Sequence, residues 1–179
     1  MFIPENVMKA ITILHTAGFE AYPVGGCVRD SLMNMPPKDY DITTNALPEQ
    51  SLECFRELRT IRNGVKHGTV GVIIDGECIE VTTFRIDGSY SDGRHPDSVT
   101  FSSQLKDDLS RRDFTVNAMA YDTQNGVIDW YGGIQDLKNK VIRCVGEPDK
   151  RFNEDALRIM RAMESKGFSH VPVIENERM

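Results

Sequence analysis

The stretch GTVGVIIDGECIEVTTFR, residues 68–85, constrains the fold more than any other part of the chain. Two β-rich runs flank Asp75-Gly76, and a two-residue Asp-Gly between such runs is a strong hairpin signal. A hairpin makes its two strands antiparallel, so a purely parallel sheet is excluded. Around it, helices are expected over 4–17, 27–34, 47–58, within SSQLKDDLSRRD and over 153–163. In the first of these, Val7, Ala10, Ile11, Leu14 and Ala17 recur at helical spacing and Gly18 supplies a stop. Pro48 suits a first helical turn, and Asn153 an N-cap. AYPVGG (21–26), YDITT (40–44), FTVNAMAYD, GVIDWYGG and KVIRCVGEP read as extended. Strands and helices are thus interspersed. The expected fold is α+β, a mixed sheet of about five strands flanked by helices.

With 179 residues, 40% of them hydrophobic and 27% charged, the chain can bury a core of ordinary globular kind. It shows no apolar run of membrane-spanning length and no signal peptide at its start. Cys27, Cys54, Cys78 and Cys144 form no C-x-x-C pair, so free thiols in a cytoplasmic setting are expected. The net charge of −6 argues against a non-specific nucleic-acid binder, which needs basic residues for the phosphates. An enzyme with a local basic groove is not excluded by that balance.

Three groups of residues carry chemistry. Gly25 and Gly26, between a strand and a helix, could leave backbone N–H groups facing a phosphate, with Arg29 one turn on. The same residues also fit a plain tight turn with Arg29 in solvent. In PPKDYDIT (36–43), Asp39 and Asp41 would share a face of one strand, which costs electrostatic energy unless a cation sits between them. Oxygen-only ligands suit Mg²⁺, which takes one or two carboxylates and completes its shell with phosphate oxygens. A solvated turn is the alternative. Glu80, in the second hairpin strand, could face the aspartates as a third acid, or be a partly exposed strand residue.

The motifs VGGCVRD, PKDYDITT, VTTFR, DLSRRDFTVNAMAYD, GGIQDLKNKVIRCVG and RFNEDALRIMRA, in that order, resemble bacterial tRNA nucleotidyltransferases, the CCA-adding enzymes. These belong with the poly(A) polymerase head domains in the polymerase-beta-like nucleotidyltransferase superfamily. The resemblance covers about residues 5–163. It implies a catalytic head over 1–146, followed at 147–179 by a nucleotide-template helix opening a helical neck. It implies Mg²⁺ at the catalytic acids Asp39 and Asp41, with Glu80 beside them, and triphosphate at Gly25, Gly26 and Arg29. Arg112, Asp113 and Asn117 would contact sugar and phosphates. Glu154, Asp155, Arg158 and the retained Arg161 would surround the base, Asp155 accepting from an amino group and Arg158 donating to a ring acceptor. On one helix, Asp155 and Arg158 would be neighbours at i and i+3. On the pairing edge CTP and ATP place an amino group beside an acceptor ring nitrogen, whereas GTP and UTP place a carbonyl beside a ring N–H there. Residues 87–98, rich in Gly, Ser, Asp and Pro, match the loop that in the family helps switch from CTP to ATP.

The match breaks after RIMRAM. Glu164 stands where the family has an arginine, and the helices that would clamp the tRNA acceptor arm do not follow. The expectation is a truncated chain or a short paralogue, with weak tRNA affinity of its own. The implied function is template-independent addition of C and A to a tRNA 3′ end. A-only or poly(A) addition, and a nucleotide-binding head without efficient turnover, are the alternatives. Transfer to a small molecule would leave EDALR and RRDFTVNAMAYD unexplained.

Overall fold

The computed structural model describes residues 1–90, 96–155 and 157–158. In chain order the elements are α1 (Glu5–Thr16), β1 (Ala21–Val24), α2 (Gly26–Leu32), β2 (Asp41–Thr44), α3 (Pro48–Cys54) and β3 (Arg59–Ile61). A 3-10 turn (Val65–His67) leads to the hairpin β4 (Thr69–Ile74) and β5 (Glu77–Thr83). Then come β6 (Arg85–Asp87), β7 (Val99–Phe101), α4 (Leu105–Ser110), a 3-10 turn (Thr115–Asn117), β8 (Ala120–Asp122) and β9 (Gly126–Ile128). Two helices close the series, α5 (Gly133–Asn139) and α6 (Pro148–Glu154).

The main sheet has seven strands in the order β3-β4-β5-β2-β1-β8-β9, and β6 pairs with β7 separately. Only the β2–β5 pair is parallel. The sheet is mixed, as expected, but larger than the expected five strands. The strand the pattern did not show is β3, Arg59–Ile61, a three-residue piece too short to display a period of two, whereas Gly126–Ile128 falls within the expected GVIDWYGG.

Alternation along β2, β4 and β5 divides the sheet into two faces. On one face Ile42, Val72, Ile74, Ile79 and Val81 form a core with Val7, Ala10, Ile11 and Leu14 of α1 and with Phe55. At roughly 25 cal/mol per Å², this burial is the main force holding α1 to the sheet. The other face carries Asp41, Thr43, Glu80 and Thr82. Over β1 and β8 that face is covered by Leu105 and Leu109 of α4, which pack with Val24, Phe84 and Ala120. Among the described residues, the β3–β4–β5 half remains open: Arg59, Ile61, Cys78 and Glu80 are exposed.

Three local expectations are corrected. FTVN forms a 3-10 turn rather than a strand, because Phe114 and Val116 are drawn into a cluster with Ile142 and Cys144. KVIRCVGEP contributes only an isolated bridge, Phe114 to Cys144, its apolar side chains packing instead of pairing. Asn153 is no N-cap: it lies inside α6, whose N-cap is Glu147 with Pro148 at the first position. Gly133 opens α5 where the Thr115 carbonyl leaves no room for a Cβ. No helix of the described residues is long and apolar enough to cross a membrane.

Candidate active site

Asp41 begins β2 and lies directly opposite Val24 on β1 and Glu80 on β5. Asp39 precedes the strand instead of sharing it, so the expected strict i, i+2 placement on one strand is corrected. The charges nevertheless meet. Burial raises the pKa of Asp41, Arg112 partly opposes the rise, and the Asp39 charge adds to it. Glu80 is raised by burial and then by Asp41 and Asp39. These three acids therefore share one field that is short of positive charge.

Among the described residues no group of three or more His, Cys, Asp and Glu side chains is placed to hold a metal ion. Glu80 is in register with Asp41 without completing a three-ligand cluster. Two carboxylates with only oxygen donors, Asp41 among them raised by burial and by the Asp39 charge, fit a Mg²⁺ ion that draws its other ligands from phosphate and water.

Beside the acids, β1 ends in a turn at Gly25, whose φ of 77° favours glycine. A Cβ there would lie 3.0 Å from Arg112 Nη1. The turn is thus pressed against a guanidinium as well as twisted. Gly25 N–H donates to Met119 O at 3.0 Å, anchoring the turn to the segment before β8. Arg29, in the second half of α2, donates to Asn117 Oδ1 at 2.6 Å and pairs with Asp30 at 2.7 Å. Asn117 Nδ2 in turn donates to Asp113 Oδ1 at 3.1 Å. Gly25, Gly26 and Arg29 from one stretch of sequence and Arg112, Asp113 and Asn117 from another, distant one are brought into one neighbourhood.

Sequence reasoning missed the centre of this arrangement. Asp108, 0% exposed, receives both Arg111 at 2.9 Å and Arg112 at 3.2 Å, and Thr43 Oγ1 donates to it at 3.1 Å. Burial pushes this carboxyl up, but the two arginines outweigh it and hold the pKa below its usual value. Arg111 also reaches Asp87 at 3.5 Å. The signal was present in DLSRRD, because Asp108, Arg111 and Arg112 have i, i+3 and i+4 spacing on a helix.

The template residues are arranged differently from the expected single helix face. Asp155 ends α6 in an extended conformation (φ −150°, ψ 107°). Its Oδ1 accepts the Leu157 N–H at 2.9 Å, and its carbonyl accepts the Arg158 N–H at 3.0 Å. Asp155 thus does what an N-cap does for the turn that follows. Arg158 pairs with Glu154 rather than Asp155, at 2.5 Å, and donates to Arg151 O at 2.9 Å. Its guanidinium lies 5.8 Å from the Tyr90 ring centroid. Burial raises Glu154, but hydrogen bonds from Arg158 and Arg151 outweigh that and lower its pKa. Asp155 and Arg158 are 7% and 5% exposed, and Arg158 Nε is buried without a hydrogen-bond partner among the described residues. Arg161, Glu164 and residues 91–95 of the loop lie outside the described residues.

Residues 21–143 match the poly A polymerase head domain. The chain belongs to that family. A CCA-adding enzyme of Lactobacillus helveticus is 51% identical over 164 residues, covering 90% of this chain and 41% of the relative. One from Enterococcus faecalis is 49% identical, with 90% and 40% covered. The chain therefore spans about two-fifths of the length of these curated relatives. Among solved structures, the Bacillus stearothermophilus CCA-adding enzyme in complex with CTP superposes with a TM-score of 0.80 at 46% identity, over 89% of this chain and 38% of that one. The Thermotoga maritima CCA-adding enzyme complexed with tRNA superposes at 0.73 with 26% identity, over 98% and 40%.

Proposed function

We propose that this chain is the nucleotidyl-transferring head of a tRNA nucleotidyltransferase that adds C and A, from CTP and ATP, to a tRNA 3′ end. The observation that carries the reading is Asp41, in register with Glu80 and within the field of Asp39, beside the Gly25 turn that Arg112 presses against and Arg29 follows. A triphosphate supplies what the acids and the arginines each lack. The guanidiniums of Arg29 and Arg112 would meet its oxygens, and Asp39 and Asp41 would hold the metal that offsets their charge.

Asp39 and Asp41 would hold Mg²⁺, which supplies a lowered pKa for the attacking hydroxyl and charge neutralisation for departing pyrophosphate. Gly25 and Gly26 let the chain approach the phosphates closely, while Arg29 and Arg112 bind their charge. Asp113 and Asn117, tied to Arg29, orient the ribose. The RNA 3′-oxygen forms a bond to the α-phosphorus as the bond to the pyrophosphate oxygen breaks, and the hydroxyl proton passes to solvent or a nearby carboxylate. No covalent enzyme intermediate is required, since the work is positioning and electrostatics. Asp155 accepts from the amino group of cytosine or adenine and Arg158 donates to the ring, with Glu154 fixing the guanidinium. The free cysteines suit a reducing compartment such as the cytoplasm.

The test is incubation of the protein with labelled CTP or ATP, Mg²⁺ and a tRNA lacking its terminal CCA. Label in the tRNA with CTP first and ATP after is the expected result. Incorporation of ATP alone would replace the reading with A-only addition. CTP binding without incorporation would leave a nucleotide-binding head.

A further inference from the structure

Between Glu57 and Asp75 the chain carries Arg59, Arg62, Lys66 and His67 and no acidic residue, in a protein of net charge −6. The segment is β3, the following 3-10 turn and β4, and β3 is the end strand of the sheet. Arg59, Arg62 and Lys66 are exposed. None of the three appears in an ion pair among the described residues, although Arg29, Arg56, Arg85, Arg111, Arg112, Arg143, Arg151 and Arg158 do. Unneutralised cations gathered at one edge are the electrostatic footprint of a polyanion site.

The register connects that edge to the acids. Asp41 pairs with Glu80, Glu80 with Gly71, and Gly71 with Ile61. One row further along, Cys78 pairs with Ile73 and Ile73 with Arg59. Directly paired residues point to the same face, so Arg59 and Ile61 stand on the face that carries Asp41 and Glu80. Gly71 contributes no side chain between them, and this half of the face has no helix over it among the described residues. Three strand spacings of about 4.8 Å put the edge roughly 14 Å from Asp41. At about 3.4 Å per stacked nucleotide, that spans about four nucleotides.

We propose that the open β5–β4–β3 face is the track on which an RNA 3′ end approaches the carboxylates, with Arg59, Arg62 and Lys66 holding its phosphates a few nucleotides upstream. The inference rests on the proposed transfer to RNA, and it assigns a part of the grip to the head itself. The acidic total charge hides this strip, because the excess acid lies elsewhere in the chain.

The test is binding of a fluorescent RNA hairpin with a single-stranded 3′ end, followed by anisotropy across a salt series at low ionic strength. The variants are the triple substitution Arg59→Ala, Arg62→Ala, Lys66→Ala and the charge-keeping pair Arg59→Lys, Arg62→Lys. Each lost phosphate contact should reduce the slope of log K against log salt by about 0.7 on a single strand, so the triple variant should lose about two. The Lys pair should keep the slope, and CTP affinity by calorimetry should be unchanged in both. An unaltered slope in a folded triple variant overturns the proposal, as does absence of salt-dependent RNA binding by the unsubstituted protein. A dimer that the triple substitution dissociates, with RNA affinity unmoved, assigns the strip to self-association instead. Failure to bind CTP in the unsubstituted protein would count against the nucleotide site, while the RNA slopes would still decide on the strip.

Discussion

Asp41 and Asp108 are both carboxylates that meet the same face of β2, one on the strand and one reaching Thr43 from α4, yet their surroundings are opposite. Asp108 is fully buried between two arginines and its pKa is depressed. Asp41 keeps an exposed surface, has Asp39 and Glu80 as neighbours, and its pKa is raised. The more buried acid is the one more at ease as an anion. Local charge balance, not depth alone, decides which carboxylate is structural and which is short of a cation. Arg112 joins the two regions, pairing with Asp108 while lowering the pKa of Asp41.

The largest effect should come from breaking the balanced side. Asp108→Ala leaves Arg111 and Arg112 without their shared partner, a change expected to cost about 3–5 kcal/mol. Urea denaturation measures it, and a loss below about 1 kcal/mol would remove Asp108 from the structural class. The same substitution should weaken nucleotide binding, because Arg112 loses its hold beside Gly25.

On the unbalanced side, Asp39→Ala with Asp41→Ala relieves repulsion. Thermal melting without metal should be unchanged or slightly higher, while Mg²⁺-dependent CTP binding and transfer disappear. A large drop in metal-free stability would mean that these acids resemble Asp108 after all.

A smaller effect concerns base choice. Asp155→Ala should cost about 1–3 kcal/mol of discrimination, the scale for an unpaired buried polar group. Affinity for CTP and ATP should fall toward that for UTP and GTP, with metal and triphosphate binding retained. Calorimetry with the four triphosphates reads this directly, and an unaltered preference would exclude Asp155 from base reading.

The smallest effect is the pH dependence of stability. Folded Asp108 and Glu154 bind their protons less tightly than the unfolded chain does. Their contribution is therefore present above the unfolded carboxylate values near 4 and is lost as pH falls through the depressed folded values. Melting temperature should decline on acidification, and the decline should be shallower in Glu154→Gln. An equally steep decline in that variant would show that its pairs with Arg151 and Arg158 contribute no stability.

By itself the sequence determined the kind of fold and much of the site's membership. Asp75-Gly76 imposes a hairpin through turn chemistry, and the spacing of Val7, Ile11 and Leu14 imposes α1 through its apolar face. Both are local, so they are legible in one dimension. The acids Asp39 and Asp41 and the glycine pair were likewise visible because close spacing in sequence guarantees closeness in space, and the same spacing in DLSRRD carried a signal that went unread at Asp108. Tertiary structure decided what depended on distant partners. Three-residue strands such as β3 exist because a neighbouring ladder satisfies their backbone groups, not because of their own pattern. Around Ile142 and Cys144 strand pairing shrinks to the single Phe114–Cys144 bridge, and their side chains pack with Phe114 and Val116, where burial outweighed β propensity. Glu80 found Asp41 across a parallel pairing 39 residues away in sequence, and Arg158 found Tyr90, contacts that no local spacing specifies. Around Asn153 the expected helix start is replaced by α6 beginning at Pro148, and Asp155 caps the turn that follows with its own side chain, while residues 159–163 of the expected helix lie outside the described residues. The sequence named the groups that carry charge; the sheet register decided which of them would balance and which would be left needing a cation.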